Sequence, residues 1–312
     1  MAERTSSDSP DFISETPESE PLSDVLRSLR FRAKIFKQGN YCGRWSLDSA
    51  GVTQTIFHLI GRGQAWLHQE GEREPIVVGG GDLVMVPHGN WHQLSGTPRR
   101  GHGTRLAATG EGPFTTVLCA MVEFDAAGAI SFLQSLPGAI IVRSEDQGTS
   151  AELHALARLM LAEYEAGRPG RQGVLDRLAE VMFVLVLRHH MQRAPDLKGI
   201  LAALRDERVA RAVAAIHREP GKDWLVDTLA RVASMSRTVF AEQFTMLLGQ
   251  TPMQYLANWR MHLADEMLRE RRLSVAQVAE LVGYRGETAF RRAFKRVRGV
   301  GPGDVRRKSR PA

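Results

Sequence analysis

The sequence predicts an α+β chain: an N-terminal antiparallel β-barrel, a helical linker, and an all-α C-terminal part. Three observations predict it. Between Phe31 and Asp125, short β-type runs (FRAKIF, TQTIFHLI, AWLHQ, PIVV, DLVMVP, TTVLCAMVEF) are broken by Gly and Pro, the texture of a barrel or sandwich. After Ser150 the apolar spacing changes from two to 3.6. The frame FxxxFxxxxGxxP then occurs twice, at Phe240–Pro252 and Phe290–Pro302, 50 positions apart.

In chain order, residues 1–20 are rich in Ser, Pro, Glu and Asp with almost nothing to bury, so a disordered tail is expected. Residues 21–145 hold the β-rich part, interrupted by one long loop, Ser95 to Pro113, which is either a lid or a plain solvent loop. Residues 146–200 are expected to form a helical linker and dimerisation element. There Leu153, Leu156, Leu159 and Met160 fall on one stripe, and Val174 to Met191 is apolar nearly all round at its centre. A helix so apolar must pack on several sides, against the barrel or against a second subunit. Residues 201–312 are helical with short turns, and the break APDLKG precedes them.

Charge is unevenly placed along the 312 residues. Residues 205–312 carry 21 Lys+Arg against 12 Asp+Glu, a net of +9, out of chain totals of 41 and 35. The remaining 20 and 23 leave residues 1–204 at −3. A polyanion partner at the C-terminal end is the implication, with a solvated Arg-rich face as the alternative. Cys42 and Cys119 make no disulfide scaffold. No secretory signal opens the chain, and its longest apolar run, Val181–Leu187, is far short of the ~20 residues of a membrane span. A cytoplasmic protein is expected.

The repeated frame has a direct physical reading. At ~100° per residue, Phe290, Phe294 and Val297 lie near 0°, 40° and −20°, one buried stripe. Gly299 can then take the left-handed C′ conformation, and Pro302 blocks resumption. Phe240, Phe244, Leu247, Gly249 and Pro252 repeat this. A shorter helix and a turn precede each copy, Trp224–Ser236 and Leu273–Gly286, with Ser236 as a cap in one and a Ser274/Gln277 capping box in the other. Short helix, turn, helix is the helix-turn-helix plan, whose second helix enters the DNA major groove. The faces opposite the Phe stripes are the candidate DNA contacts: Arg237, Thr238, Ala241, Glu242 and Thr245 in the first copy, and Glu287, Thr288, Arg291, Arg292, Lys295 and Arg296 in the second. The second is the more basic. Pro252 to Glu270 between them reads as one rigid helix, setting two reading heads about 34 Å apart if they occupy successive grooves.

These residues resemble the AraC/XylS family of bacterial transcription regulators. The two helix-turn-helix units, RMxxA at Arg260–Ala264, and GYxxxxxFxRxFKRxxGxxP at Gly283–Pro302 carry the resemblance over about 100 residues. Gly286 and Leu225 stand where that family commonly has a capping side chain, Gly301 where it has Ser, and Val305 where it has Tyr. The β-rich part resembles the cupin-type sensor domain of one branch of the family, since GDLVMVPHGNWH, Gly81–His92, fits the second cupin motif. In the first motif His58 stands at the first ligand position, but Ile60 and Gln64 replace the second His and the Glu. Metal-binding cupins use three His and a carboxylate, so half the ligand set is missing here.

The resemblance implies a sequence-specific regulator, not an enzyme, with no catalytic residues and no required cofactor. Its implied partners are promoter or operator double-stranded DNA, a small-molecule effector, RNA polymerase and a second copy of the chain. Cys42, His58, Gln64, Trp66 and His92 are the candidate effector pocket. His58 has three readings: a satisfied core histidine, an effector contact, or a divalent-metal ligand with His92. His68 and His102 are expected to be exposed. A metal-dependent oxygenase or isomerase and a non-specific DNA-compacting protein are the competing functions.

Overall fold

The computed structural model describes residues 20–101, 114–124, 129–145, 151–270 and 272–308. The expected N-terminal tail, most of the Ser95–Pro113 loop and His102 lie outside the described residues.

The chain enters through α1 (Pro21–Leu29), with Pro at the first helical position and Leu22, Val25, Leu26 and Leu29 buried at i, i+3, i+4 and i+7 spacing. Nine strands follow among the described residues. A five-stranded sheet runs β1 (Phe31–Cys42), β8 (Phe114–Phe124), β3 (Thr55–Arg62), β6 (Leu83–Val86), β9 (Ile140–Val142). A four-stranded sheet runs β2 (Ser46–Asp48), β7 (His92–Ser95), β4 (Gln64–Gln69), β5 (Ile76–Gly79). Every pairing is antiparallel. The two sheets face each other across an apolar layer that includes Trp45, Ile60, Leu67, Val84, Leu94 and Val117. Among the described residues no ladder joins one sheet to the other, so the expected barrel is an open sandwich: closure needs an unbroken hydrogen-bonded circuit, and the strand order ends at β1 and β9.

The other face of the larger sheet is covered as well. Phe57, Leu59, Met85, Leu118 and Ala120 point away from the smaller sheet and meet α1, α2 (Ala129–Leu133), α3 (Ala151–Ala166) and α4 (Arg171–Arg193). A strand covered on both sides reads as a continuous apolar run, which is why β3 is buried from Thr55 to Ile60. α4 packs on β1 and buries Leu175, Ala179, Met182, Phe183, Val186 and Leu187 against this chain's own core, while Val181 on its far side stays exposed. At the bulge between Ile35 and Lys37 in β1, the Asp176 carboxylate accepts the Ile35 N–H at 2.8 Å and Gln172 donates to the Ile35 carbonyl at 2.9 Å. The helix thereby supplies the partners that the bulge removes from the ladder.

The remainder is helical: α5 (Gly199–Arg205), α6 (Glu207–Arg218), α7 (Val226–Val232), α8 (Arg237–Leu248), α9 (Pro252–Glu270), α10 (Val275–Leu281), α11 (Glu287–Arg298) and α12 (Pro302–Lys308). Pro302 does more than stop α11. Its fixed φ and missing donor suit the first turn of a new helix, so α12 begins there. Apolar packing divides unequally. One continuous core runs from the larger sheet through α4, α5 and α6 into α7 and α8 and ends on Tyr255, Leu256 and Trp259 of α9. A separate core joins Met261, Ala264 and Leu268 of the same helix to α10, α11 and Val305 of α12.

Candidate nucleic-acid interface and sensor interior

In both units the repeated frame behaves as its periodicity requires. Phe240, Phe244, Phe290 and Phe294 are fully buried, each pair in mutual ring contact at 5.5 and 5.6 Å, and each ring removed from water contributes about 1.5–3 kcal/mol. Gly249 (φ 69°) and Gly299 (φ 74°) close the two helices in the left-handed conformation. Ser236 caps α8 by accepting from Val239 N–H, and Ser274 and Gln277 form the reciprocal box on α10. Where the sequence lacks a capping side chain the outcomes differ. Thr228 Oγ1 accepts the Leu225 N–H at 2.9 Å, while Gly286 gives α11 no side-chain cap.

The faces turned away from the Phe ridges are open. Arg237, Thr238 and Glu242 are exposed and Ala241 and Thr245 half-buried on α8; on α11, Thr288, Arg291, Arg292, Lys295 and Arg296 are exposed and Glu287 half-buried. Their electrostatics are unlike. Arg237 is paired with Asp227 at 3.2 Å, Thr245 donates its hydroxyl to the Ala241 carbonyl, and Glu242 adds a negative charge. On α11, Glu287 holds Arg291 through Nε at 2.6 Å, but Arg292, Lys295 and Arg296 make no ion pair among the described residues. α11 thus presents three cations without an ion-pair partner among the described residues, and α8 presents none.

Arg260, noticed in the sequence only as part of RMxxA, fixes the two units to each other. Its guanidinium donates to the carbonyls of Pro220 (2.7 Å) and Lys222 (2.8 Å) ahead of α7, and leans on Gly283 O at the turn of the second unit (3.5 Å). The approach is backbone to backbone: Gly283 has φ 80°, and a Cβ there would lie 2.5 Å from Gly221 O. Neither glycine announced this contact, because it depends on residues 62 positions apart. Asp265, 1% exposed, holds Arg298 at 2.9 Å and Arg269 at 2.8 Å, tying α11 to the same α9 spine.

The five sensor residues singled out in the sequence do not converge. His58 and His92 meet in the layer between the sheets, with Nε2 atoms 2.8 Å apart. Cys42 pairs with Phe114 whereas His58 pairs with Cys119, five residues or roughly 17 Å further along β8. Gln64 is exposed, and its carbonyl is held by Thr115 at the Phe114 end of that strand. Trp66 alternates with the inward-facing Ala65 and Leu67, so it lies on the outer face of the smaller sheet. His68 shares that outer face but is 5% exposed and bonded to Ser95 Oγ at 2.9 Å, which corrects the expectation that it is exposed.

The third partner of the histidine pair is Cys119. A single proton arrangement satisfies all four groups. His92 Nδ1 lies 2.9 Å from the Asn90 carbonyl, so it carries the proton and His92 Nε2 accepts. His58 Nε2–H then donates to it, leaving His58 Nδ1 to accept the Cys119 S–H at 3.0 Å. Every member is neutral: burial pushes both histidines below their ordinary range and the Cys119 thiol up to about 12. Such a thiol is not a nucleophile. With both His58 nitrogens engaged, the Cys119 thiol protonated, and no group of three His, Cys, Asp or Glu placed to hold a metal ion among the described residues, these donors do not fit a cupin metal centre.

The chain is similar to known transcription regulators. Residues 20–192 match the Cupin family and residues 229–308 the helix-turn-helix domain family. The chain is 32% identical to a putative AraC-like transcription regulator of Streptomyces lividans over 302 residues, covering 92% of this chain and 98% of that one. It is 29% identical to the HTH-type transcriptional regulator AlkR of Acinetobacter baylyi, with 88% and 95% covered. Among solved structures, the DNA-binding domain of AdpA in complex with a target DNA is 34% identical over 32% of this chain and 89% of that one, with a TM-score of 0.31. No helix among the described residues is long and apolar enough to cross a membrane.

Proposed function

This chain belongs to the AraC-like transcription regulators, a Cupin domain preceding a DNA-binding helix-turn-helix domain, and from that premise we propose that a small molecule acting on the N-terminal half controls how both units engage double-stranded promoter DNA. The observation that carries the DNA-reading half is the exposed row Arg292, Lys295 and Arg296 on α11, held outward by the buried Phe290 and Phe294. α11 supplies most of the electrostatic attraction, and α8 contributes shape and hydroxyl contacts through Thr238. The effector acts by preferring one arrangement of the units over another. The first unit is the natural receiver, since it shares its core with the sensor sheet.

The regulator works as a cytoplasmic homodimer on paired half-sites and meets RNA polymerase at the promoter. Leu159 on α3 and Val174 and Val181 on α4, apolar and exposed, support the dimer. A metal-dependent oxygenase is disfavoured by the donor set around His58.

Arg292→Ala tests the reading. Quantitative footprinting on the target and on random DNA is expected to lose roughly 1–3 kcal/mol on the target alone if Arg292 reads a base edge. Equal loss on both would reduce Arg292 to a phosphate contact. No loss on either would remove α11 from the interface.

A further inference from the structure

Because α8 and α11 share one frame, each position on the first has a counterpart 50 residues further along on the second. Both are 12-residue helices backed by two buried phenylalanines and closed by a left-handed glycine, so corresponding side chains leave them at the same angles. The chemistry carried at those angles is different. Where α11 has Arg291, Arg292, Lys295 and Arg296, α8 has Ala241, Glu242, Thr245 and Met246. Met246 is 69% exposed, and Val239, on the same stripe two turns earlier, is 51% exposed. The groups on α8 that could donate to a purine edge are engaged elsewhere: Arg237 on Asp227 (3.2 Å), Gln243 on Asp206 (3.2 Å), and the Thr245 hydroxyl on the Ala241 carbonyl (2.7 Å). Glu242 has no donor to offer.

We propose that α8 reads its half of the binding site through the 5-methyl groups of thymines, which pack against Val239 and Met246 in the major groove. This deepens the regulator reading above and rests on it. Of the groups that base pairs display in that groove, the thymine methyl is the apolar one; the others are hydrogen-bond donors and acceptors. An apolar side chain laid on a guanine edge strips water from two acceptors and returns no donor, whereas on thymine it buries a methyl group. The two side chains suit different parts of the task. Val239 is stiff at χ1 and fixes one contact, while the unbranched Met246 adapts its reach to the groove. Their counterparts on α11 are Ala289 and Arg296, and Arg296 belongs to the row directed at the duplex, so the ridge on α8 occupies a DNA-facing position rather than a flank. Contacts of this kind release no counterions, so their discrimination does not depend on salt.

Selection by the full-length protein from a randomised double-stranded DNA library gives a preferred duplex, in which each thymine is then replaced singly by deoxyuridine. Deoxyuridine pairs as thymine does and lacks only the methyl. At one or two positions the change should weaken binding about fourfold, the effect of exposing one buried methyl group, and by the same factor at low and high salt. Met246→Ala or Val239→Ala should cancel that loss at its own thymine and leave the response of every other thymine intact. Met246→Leu should restore it. Both side chains are exposed and alanine favours a helix, so neither alanine variant threatens the fold. Deoxyuridine tolerated at every thymine, or a loss that persists unchanged in both alanine variants, overturns the proposal. Alanine variants that bind the thymine duplex as the unaltered protein does also overturn it, and assign the ridge to a protein partner. A library that enriches no sequence overturns the regulator reading and this proposal with it, whereas an enriched sequence indifferent to deoxyuridine overturns this proposal alone.

Discussion

The two helix-turn-helix units are built on one frame but are held and charged in opposite ways. The first, α7–α8, shares its apolar core with the sensor sheet, and its outward face is compensated by Asp227 and Glu242. The second, α10–α11, has a core of its own and an outward face with three uncompensated cations. Duplicated sequence has thus yielded a division of labour: one unit is coupled to the rest of the protein, and the other is equipped to hold DNA. Coupling needs shared packing, whereas affinity for a polyanion needs only solvent-facing charge.

The sharpest way to break this contrast is to cut the same side chain from each core. Phe240→Ala and Phe290→Ala should each cost about 3–5 kcal/mol. Hydrogen-exchange mass spectrometry should show Phe240→Ala loosening the sheet and α4 as well as α8, and Phe290→Ala loosening α10 to α12 alone. Matching exchange patterns would erase the distinction between the cores.

Acid probes both cores together. Burial holds His217 near 3 and His262 near 4, below the ordinary 6.5, so the unfolded chain binds protons first as pH falls. Their stabilising effect is complete above about pH 6.5 and is lost between there and pH 3–4, at no more than about 1.4 kcal/mol per pH unit for each. Melting curves between pH 7 and 5 should show this slope, and His217→Phe should lessen it for the first unit only. An unchanged slope in that variant would remove His217 from the account.

Gly283→Ala acts on the seam between the units. A left-handed φ and a Cβ 2.5 Å from Gly221 O should cost about 1–3 kcal/mol, with a larger proportional loss of affinity for a two-half site than for a single half-site. Equal losses on both would mean that the seam sets stability but not relative placement.

Glu242→Lys should have the smallest effect. Placing a cation on the compensated face should steepen the salt dependence of DNA binding by about one unit of slope, leaving stability unchanged. An unaltered slope would place Glu242 away from the phosphates.

Legibility in the sequence followed the range of the interactions involved. The second unit could be read almost whole, because the Phe290/Phe294 ridge, the Gly299 stop and the Ser274/Gln277 box are all determined within one or two helical turns. α1 carries an equally regular set, Leu22, Val25, Leu26 and Leu29, but it follows a polar segment and escaped notice. His58 stood out by its place in the first cupin motif, whereas its partner Cys119 did not, since that pairing is set by the register of strands 61 residues apart. Sandwich and barrel share one alternating pattern; only the ladder order distinguishes them. The stacked rings of His217, Tyr255 and Trp259 gave no local sign, because they come from helices that read as ordinary amphipathic segments.

α9 gives its first half to one core and its second half to the other. Its 19 residues span about 28 Å. It is in effect a stiff lever with its fulcrum beside Trp259, and a tilt of about 7° there would sweep the far tip, about 16 Å away, through roughly 2 Å, the scale of a lost hydrogen bond. A repressor or activator built this way has no need to unfold or swing a domain: a nudge smaller than a water molecule at one end is enough to throw the distant helix out of step with its groove.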